Sequence, residues 1–217
     1  MEHHLFALLG KSLSHSYSPT FYNSYFANNQ LVDHKYITIE IPQINELLPT
    51  LDSFPNLEGF NVTIPYKEQI IPYLDQISPI AKKIGAINLV KVIKTHDQRT
   101  YYGYNTDYKG FGVMFKKVIK TIGSNQKAII LGTGGASKCV QYFLSKKMIP
   151  FVVISRNKNE HVFTYQELTG EIIQTHKIII NCTPLGMYPN IKEKPPIDYD
   201  RIGSEHFLID LIYNPDV

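Results

Sequence analysis

The stretch Lys127-Ala-Ile-Ile-Leu-Gly-Thr-Gly-Gly-Ala-Ser-Lys138 constrains the fold more than any other part of the chain. Residues 128–131 are an unbroken apolar run, Gly132, Gly134 and Gly135 follow, and Cys139, Val140, Phe143 and Leu144 then recur at helical spacing. The reading is strand, glycine turn, helix. Such a turn reverses the chain tightly and lets a pyrophosphate approach backbone N–H groups at the positive end of a helix. Ser137 stands where a third glycine would complete Gly-x-Gly-x-x-Gly. The pattern alone is therefore weak, and a tight turn that binds nothing is the competing reading. The strand before it and the helix after it favour a dinucleotide site at Gly132, Thr133, Gly134, Gly135 and Ala136.

A chain of 217 residues has room for one large or two small domains. Hydrophobic content of 43% with 19% charged residues is that of a globular protein. No apolar run approaches the ~20 residues of a membrane span. The start, Met1-Glu-His-His-Leu5, lacks the basic and long apolar regions of a signal peptide, so a cytoplasmic location without membrane contact is expected. Cys139 and Cys182 both lie in apolar stretches and read as buried, reduced thiols. The net charge of +3 is thinly spread, and Lys116, Lys117 and Lys120 read as the wet face of a helix. Nothing argues for nucleic acid, and no metal ligands are expected.

Along the chain, residues 5–9 read as a short buried strand ending at Gly10. The hydroxyl-rich segment 11–19 leads into a helix over 19–28, with Ser18 as cap, Pro19 in the first turn and Phe21, Tyr25 and Phe26 facing inward. Strands are expected at 36–40, 57–64, 86–93 and 101–107, with short helices at 44–51, from Pro65, and at 78–85. Thr106 can cap a helix over 107–122 whose first turn holds Asp107. The break in composition at 123–126 separates two α/β units. The expected organisation is a substrate-binding and catalytic domain at 1–106 with a mainly parallel sheet, a connecting helix at 107–122, and a Rossmann-like dinucleotide domain at 123–217. A cleft is expected between the two domains.

Residues 151–155 form the next buried strand of that second domain. Its tip, ~20 residues past the glycines, should face the adenosine ribose. NAD enzymes place an acid there, whereas this chain has Ser155-Arg156-Asn157-Lys158. A cationic tip suits a 2′-phosphate through charge-assisted bonds and points to NADP. Only Asn159 and Glu160 separate Lys158 from the extended segment 161–165. A parallel crossover needs about a dozen residues, so no helix fits there and the segment must be an irregular or edge strand. A short helix is expected at 166–175, weakened by Gly170, and strands at 177–184 and 207–215.

Several strands end in polar residues, namely Asn61 and Thr63, Asn88, Asn105 and Asp107, and Thr183. Ligands of open α/β sheets bind at the carboxyl ends of strands, and this rim suits a small polyhydroxylated molecule. At these residues the chain resembles the shikimate dehydrogenases, which reduce 3-dehydroshikimate to shikimate with NADPH in aromatic amino acid and chorismate biosynthesis. The resemblance runs from Phe6 to Pro215. Its motifs are Gly10-x4-His15-Ser-x-Ser-Pro19, Gly59-Phe-Asn-Val-Thr-x-Pro-x-Lys67, Ile84-Gly-Ala-Ile-Asn88, Gly103-x-Asn-Thr-Asp107, Gly132-Thr-Gly-Gly-Ala136, Asn181-x-Thr-Pro-x-Gly-Met187 and Tyr213-Asn-Pro215. Any one alone is weak; together they stand in family order.

The resemblance implies roles residue by residue. Ser16 and Ser18 would bind the substrate carboxylate, with Tyr213 near it. Asn61, Thr63, Asn88 and Asp107 would bind ring hydroxyls, and Lys67 and Asp107 would be the catalytic pair. Gly132 to Ala136, Ser155, Arg156, Asn157 and Thr183 would hold NADP. Taken singly, these serines and asparagines would pass for turn and cap residues, and Lys67 for a surface lysine. Ketone reduction needs a hydride from the cofactor, a proton for the carbonyl oxygen and stabilisation of developing alkoxide charge. An ammonium supplies the last two. A free lysine titrates at ~10.4 and a neighbouring carboxylate keeps it charged.

Two departures stand out. The cofactor tip reads Ser-Arg-Asn where the family commonly has Asn-Arg-Thr. The family also continues through helices that return to the first domain and supply a glutamine to the substrate, and the given sequence stops at Val217. The expectation is a family member lacking that wall of the cleft, monomeric or homodimeric, whose partner is its small-molecule substrate. The alternatives are a quinate/shikimate dehydrogenase using NAD or NADP, and a non-catalytic dinucleotide-binding regulatory module.

Overall fold

β1 (His4–Gly10) is the most deeply apolar strand of the first half of the chain, and the order of its neighbours explains why. It lies between β2 (His34–Glu40) and β3 (Leu57–Val62), parallel to both. A strand covered on both faces reads as a nearly continuous apolar run, and Leu5, Ala7, Leu8 and Leu9 are all buried. The computed structural model describes residues 4–96, 98–123 and 125–214. The chain divides into two compact units, Met1–Thr106 and Asp107–Val217.

In the first unit, β4 (Gln76–Ile77), β5 (Leu89–Thr95) and β6 (Gln98–Tyr104) extend the sheet to six strands in the order β2-β1-β3-β5-β6-β4. β5 pairs antiparallel with β3 and β6, while β4 runs parallel to β6 at the edge, so the sheet is mixed. β5 begins at Leu89 rather than at residue 86, and β6 begins at Gln98 rather than at residue 101; Asp97 lies outside the described residues. The helices are α1 (Ser18–Asn28), α2 (Leu47–Asp52), α3 (Tyr66–Gln69) and α4 (Pro79–Ile84). Ser78 caps α4, its hydroxyl accepting from the Ala81 amide at 3.3 Å.

Two expectations for α1 are overturned. Phe26 is buried, but Phe21 and Tyr25 are 51% and 52% exposed. The inward positions are Tyr22, whose ring stacks on Tyr36 at 4.5 Å, and Phe26, which lies within 5.9 Å of Phe6. Each residue advances a helix by about 100°, so Phe21 and Tyr25, one position before the inward pair, turn toward solvent. Nor does Ser18 cap the helix. Tyr17 occupies that position without a side-chain bond, and Ser16 Oγ accepts from the Ser18 amide at 3.3 Å.

The second unit comprises α5 (Asp107–Ile122), β7 (Ala128–Leu131), α6 (Gly135–Lys146), β8 (Phe151–Ser155), β9 (Phe163–Thr164), α7 (Gly170–Thr175), β10 (Ile178–Asn181) and β11 (Phe207–Asp210). All its pairings are parallel, in the order β11-β10-β7-β8-β9. Counted from β7 this is the 3-2-1-4-5 order of the doubly wound nucleotide-binding folds, with the order reversing between β7 and β10. α5 packs on α6 within this unit; Phe111 and Phe115 lie 5.1 and 5.5 Å from the Phe143 ring. β9 is a two-residue edge strand and residues 156–162 form no helix, as the short spacing requires. Cys139 and Cys182 form no disulfide, and burial pushes the Cys182 thiol upward. No helix of the described residues is long and apolar enough to cross a membrane.

Candidate functional site

In the first unit the candidate residues gather at one edge of the sheet. β1, β3 and β6 end there, and β5, being antiparallel, begins there, with Leu89 opposite Asn61. A chain of hydrogen bonds runs along this edge. The Tyr36 hydroxyl donates to Asn61 Oδ1 at 2.8 Å, and Asn61 Nδ2 donates to the Asn88 carbonyl at 3.3 Å. Asn88 Nδ2 donates to Thr106 Oγ1 at 2.8 Å, and Asn88 Oδ1 accepts the Thr106 amide at 2.7 Å. Asn105, 8% exposed, donates to the Ala86 carbonyl at 3.0 Å. Buried amides left unpaired cost about 1–3 kcal/mol each, so this network fixes the orientation of both asparagines. Among the described residues no buried side-chain nitrogen or oxygen lacks a partner. Sequence reasoning missed Tyr36 and, having read Thr106 as a helix cap, missed its pairing with Asn88, because these contacts join positions far apart in the chain.

The other first-unit candidates flank this network. Thr63 follows β3, its amide donating to the Leu9 carbonyl at 2.9 Å and its own carbonyl accepting from Tyr66 at 2.9 Å. These bonds seat the single turn α3, which carries Lys67, and the Ile87 amide ties the Lys67 carbonyl at 2.7 Å. Lys67 thus projects from a segment anchored on the strand ends next to Asn88. Ser16 lies in the hydroxyl-rich loop after β1 and Ser18 opens α1, the two joined by the bond described above. A separate hollow of about 280 Å³, lined by Lys11, Gln43, Asn45, Tyr66 and Gln69 among others, includes none of the expected substrate residues.

In the second unit Asp107 stands in the first turn of α5, where the helix dipole favours a carboxylate. The glycine turn lies at the reversal of strand order, where ligands of such sheets bind. Gly132 has φ +101°, a conformation natural to glycine. A Cβ there would lie 3.1 Å from Thr183 Cγ2 and 3.2 Å from the Cys182 carbonyl, so the end of β7 presses against the end of β10. Gly134 caps α6 in extended conformation with open space about its Cα, while Ser137 is wholly buried and bonded to Gln141 at 2.9 Å. The turn therefore leaves room for a pyrophosphate against the first amides of α6, and Ser137 is a packing residue rather than an obstacle.

Thr183 sits beside this turn. Its hydroxyl and amide donate to Asn181 Oδ1 at 2.6 and 3.0 Å, and Asn181 Nδ2 in turn donates to the Asp210 carboxylate at 3.1 Å. At the tip of β8, Arg156 is exposed and lines a hollow of about 360 Å³ with Tyr165, Gln166 and Pro196. Burial raises the Tyr165 phenol, and the Arg156 guanidinium pulls it back down. Among the described residues no carboxylate pairs with Arg156, whereas Lys158 is engaged by Glu167. Of the two cations expected at this tip, the guanidinium is thus the one with no carboxylate partner among the described residues. Asn157 is exposed at the same tip. Tyr213 is 68% exposed beyond β11, and Pro215 of its motif lies outside the described residues.

The profile of the family described as "Shikimate dehydrogenase substrate binding domain" matches residues 8–90. The shikimate dehydrogenase (NADP(+)) of Clostridium beijerinckii is 38% identical over 97% of this chain and 78% of its own length. The crystal structure of shikimate dehydrogenase 1 from Peptoclostridium difficile superimposes with a TM-score of 0.79 at 38% identity, covering 98% of this chain and 78% of that one. The shikimate dehydrogenase of Aquifex aeolicus gives 0.82 at 32% identity, covering 97% and 79%.

Proposed function

The chain belongs to the shikimate dehydrogenase family, and from that premise we propose that it is an NADP-dependent shikimate dehydrogenase, interconverting 3-dehydroshikimate and shikimate in aromatic amino acid biosynthesis. The observation that carries this reading is the 38% identity across 97% of the chain to an NADP(+) shikimate dehydrogenase. In this reading residues 1–106 bind and process the substrate, residues 123–217 bind NADP, and the helix 107–122 leads from one to the other along the chain. The enzyme works in the cytoplasm as a monomer or homodimer.

NADPH, when bound, supplies the hydride for the carbonyl carbon. The chain's own residues do the rest. Lys67 donates the proton to the carbonyl oxygen and offsets the alkoxide charge as it develops. Asp107 orients that ammonium and accepts a hydrogen bond from the substrate. Ser16 and Ser18 bind the substrate carboxylate, with Tyr213 nearby, and Asn61, Thr63 and Asn88 read the ring hydroxyls. The locked amides at 61 and 88 support that role, since a preorganised group loses little entropy when substrate arrives. Gly132 to Ala136 receive the pyrophosphate beside Thr183. Arg156, flanked by Ser155 and Asn157, takes the 2′-phosphate in a charge-assisted pair.

A steady-state assay of NADP+ reduction by shikimate, repeated with NAD+ and with quinate, tests the reading. The highest kcat/KM is expected for shikimate with NADP+. A preference for quinate with NAD+ would make the chain a quinate dehydrogenase, and NADP binding without turnover would make it a regulatory module.

A further inference from the structure

At the opposite ends of β1, β2 and β3 from the asparagine network, imidazoles and carboxylates converge. His4 opens β1 and His34 opens β2; they are register partners in the parallel pairing, with ring centroids 4.6 Å apart. Asp33 lies beside them, with Oδ1 2.7 Å from His34 Nδ1 and Oδ2 3.6 Å from His4 Nε2. One donor atom from each of His4, Asp33 and His34 lies within 4.8 Å of the other two. Behind His4, Glu58 Oε1 is 2.6 Å from Nδ1. The register explains that contact. Leu5 pairs with Leu57 and Phe6 with Gly59, which leaves Glu58 as the unmatched residue of an irregularity in β3. Such irregularities commonly re-aim a side chain.

We propose that His4, His34 and Asp33 bind a divalent transition metal of the zinc class, with Glu58 orienting His4. This site is independent of the dehydrogenase reading. Zinc bonds to nitrogen and carboxylate oxygen run ~2.0–2.2 Å, which in tetrahedral geometry sets ligand atoms roughly 3.3–3.5 Å apart. The 3.6 Å from His4 Nε2 to Asp33 Oδ2 is close to that spacing. The 4.8 Å limit on the whole set leaves a contraction that the half-exposed His4 and Asp33 side chains can make by rotating. Metal-bound histidines almost always give their other ring N–H to a carboxylate or carbonyl, and the Glu58–His4 contact has that form, leaving Nε2 toward Asp33. The His34 ring is held in place by Phe6 and Phe26, at 6.0 and 5.3 Å, so little side-chain freedom remains to be lost. Three protein ligands leave one coordination position for water. Two imidazoles with a carboxylate suit zinc far better than calcium or magnesium, which take oxygen ligands. The ion would clip together the starts of β1 and β2, so its effect should fall on stability rather than on turnover.

The alternative is a hydrogen-bonded clasp that holds no ion. Calorimetric titration of Zn2+ into the full chain, freed of metal with a chelator, separates the two, with Co2+ absorption reporting coordination geometry. One ion per chain is expected, with a zinc-dependent rise in Tm and a tetrahedral Co2+ spectrum. His4→Asn and His34→Asn should each weaken binding by about tenfold or more, and Glu58→Gln by about 10–100-fold as an outer-shell change. His161→Asn, an exposed histidine of the second unit, should leave binding unchanged. If either imidazole variant fails to fold by circular dichroism, Asp33→Asn takes its place. No stoichiometric binding, binding undiminished in the ligand variants, or binding lost with His161→Asn would overturn the proposal.

Discussion

The two units hold their candidate ligand-binding groups with different materials. In the first, the candidate groups are side chains held by other side chains and by backbone: Tyr36 holds Asn61, Asn61 reaches the backbone of Asn88, and the Asn88 amide clasps Thr106. In the second, the binding surface is largely backbone. Gly132 bends with positive φ, Gly134 leaves the start of α6 open, and Asn181, Thr183 and Asp210 brace the turn from β10. Only Arg156 brings a charge to that surface without a carboxylate partner among the described residues. The difference sets what each unit tolerates. A side-chain lattice fails when a donor or acceptor is removed, whereas a backbone cradle fails when atoms are added or its one charge is lost.

Lys67 puts the greatest strain on this contrast, because it sits in the lattice unit yet is proposed to act by charge. Lys67→Ala should lower kcat by about 10²–10⁴, the usual range for general acid–base assistance. NADP binding, followed by fluorescence, should not change. Activity near wild type would reduce the first unit to a binding surface. Lys67→Met, which keeps volume without charge, should behave like the alanine variant. The next effect belongs to the second unit. Arg156→Gln should raise KM for NADPH by about 10–100-fold, since hydrogen bonds to charged groups contribute ~1.5–3 kcal/mol. KM for NADH should stay put, so the preference between cofactors would narrow by the same factor. An equal loss for both cofactors would mean that Arg156 supports the fold of the tip rather than reading a phosphate.

Asn88 sharpens the contrast from the lattice side. Asn88→Leu keeps the branched heavy-atom shape and removes both side-chain partners of Thr106. The expected loss is about 1–3 kcal/mol of unfolding free energy, read by denaturant titration, because Asn88 is 7% exposed and the groups it leaves behind are desolvated. A change within a few tenths of a kcal/mol would show that water substitutes freely and that the lattice is not rigid.

The legible parts of the fold were those written in contiguous residues. The buried run before Gly132 marked β7, and the short spacing after Lys158 ruled out a helix and placed β9 at an edge. The phase of α1 was misjudged because aromatic character was equated with burial. Contact of Tyr22 with Tyr36, a residue on another element, turns Phe21 and Tyr25 outward. The same limit hid the networks. Tyr36, Asn61, Asn88 and Thr106 meet only through sheet register, as do His4, His34 and Glu58, and no spacing along the chain announces either group. The lining of the Arg156 hollow by Tyr165 and Gln166 was equally out of reach, since it depends on how the short segment after β9 is tied down.

That tie yields the smallest expected effect. Thr164 and Glu167 form a reciprocal cap around Tyr165 and Gln166, and Lys158 bonds the same carboxylate. The Lys158 bond, followed by the Thr164 amide, draws the Glu167 carboxyl from 4.5 down to about 2. A carboxyl whose folded value lies below its unfolded one binds fewer protons in the native state, so its contribution is complete above the unfolded value and is lost as pH falls toward the folded one. The window here runs from about pH 4.5 down to about pH 2. The carboxylate is solvent-exposed, so screening keeps the effect modest. Glu167→Gln should therefore melt slightly below wild type at pH 6 and converge with it toward pH 2.5. The gap at pH 6 should shrink in high salt. Parallel melting curves across that window would mean that the tie adds nothing to stability. The second unit would then hold its Arg156 hollow by backbone alone, which is the contrast with the first unit in its strongest form.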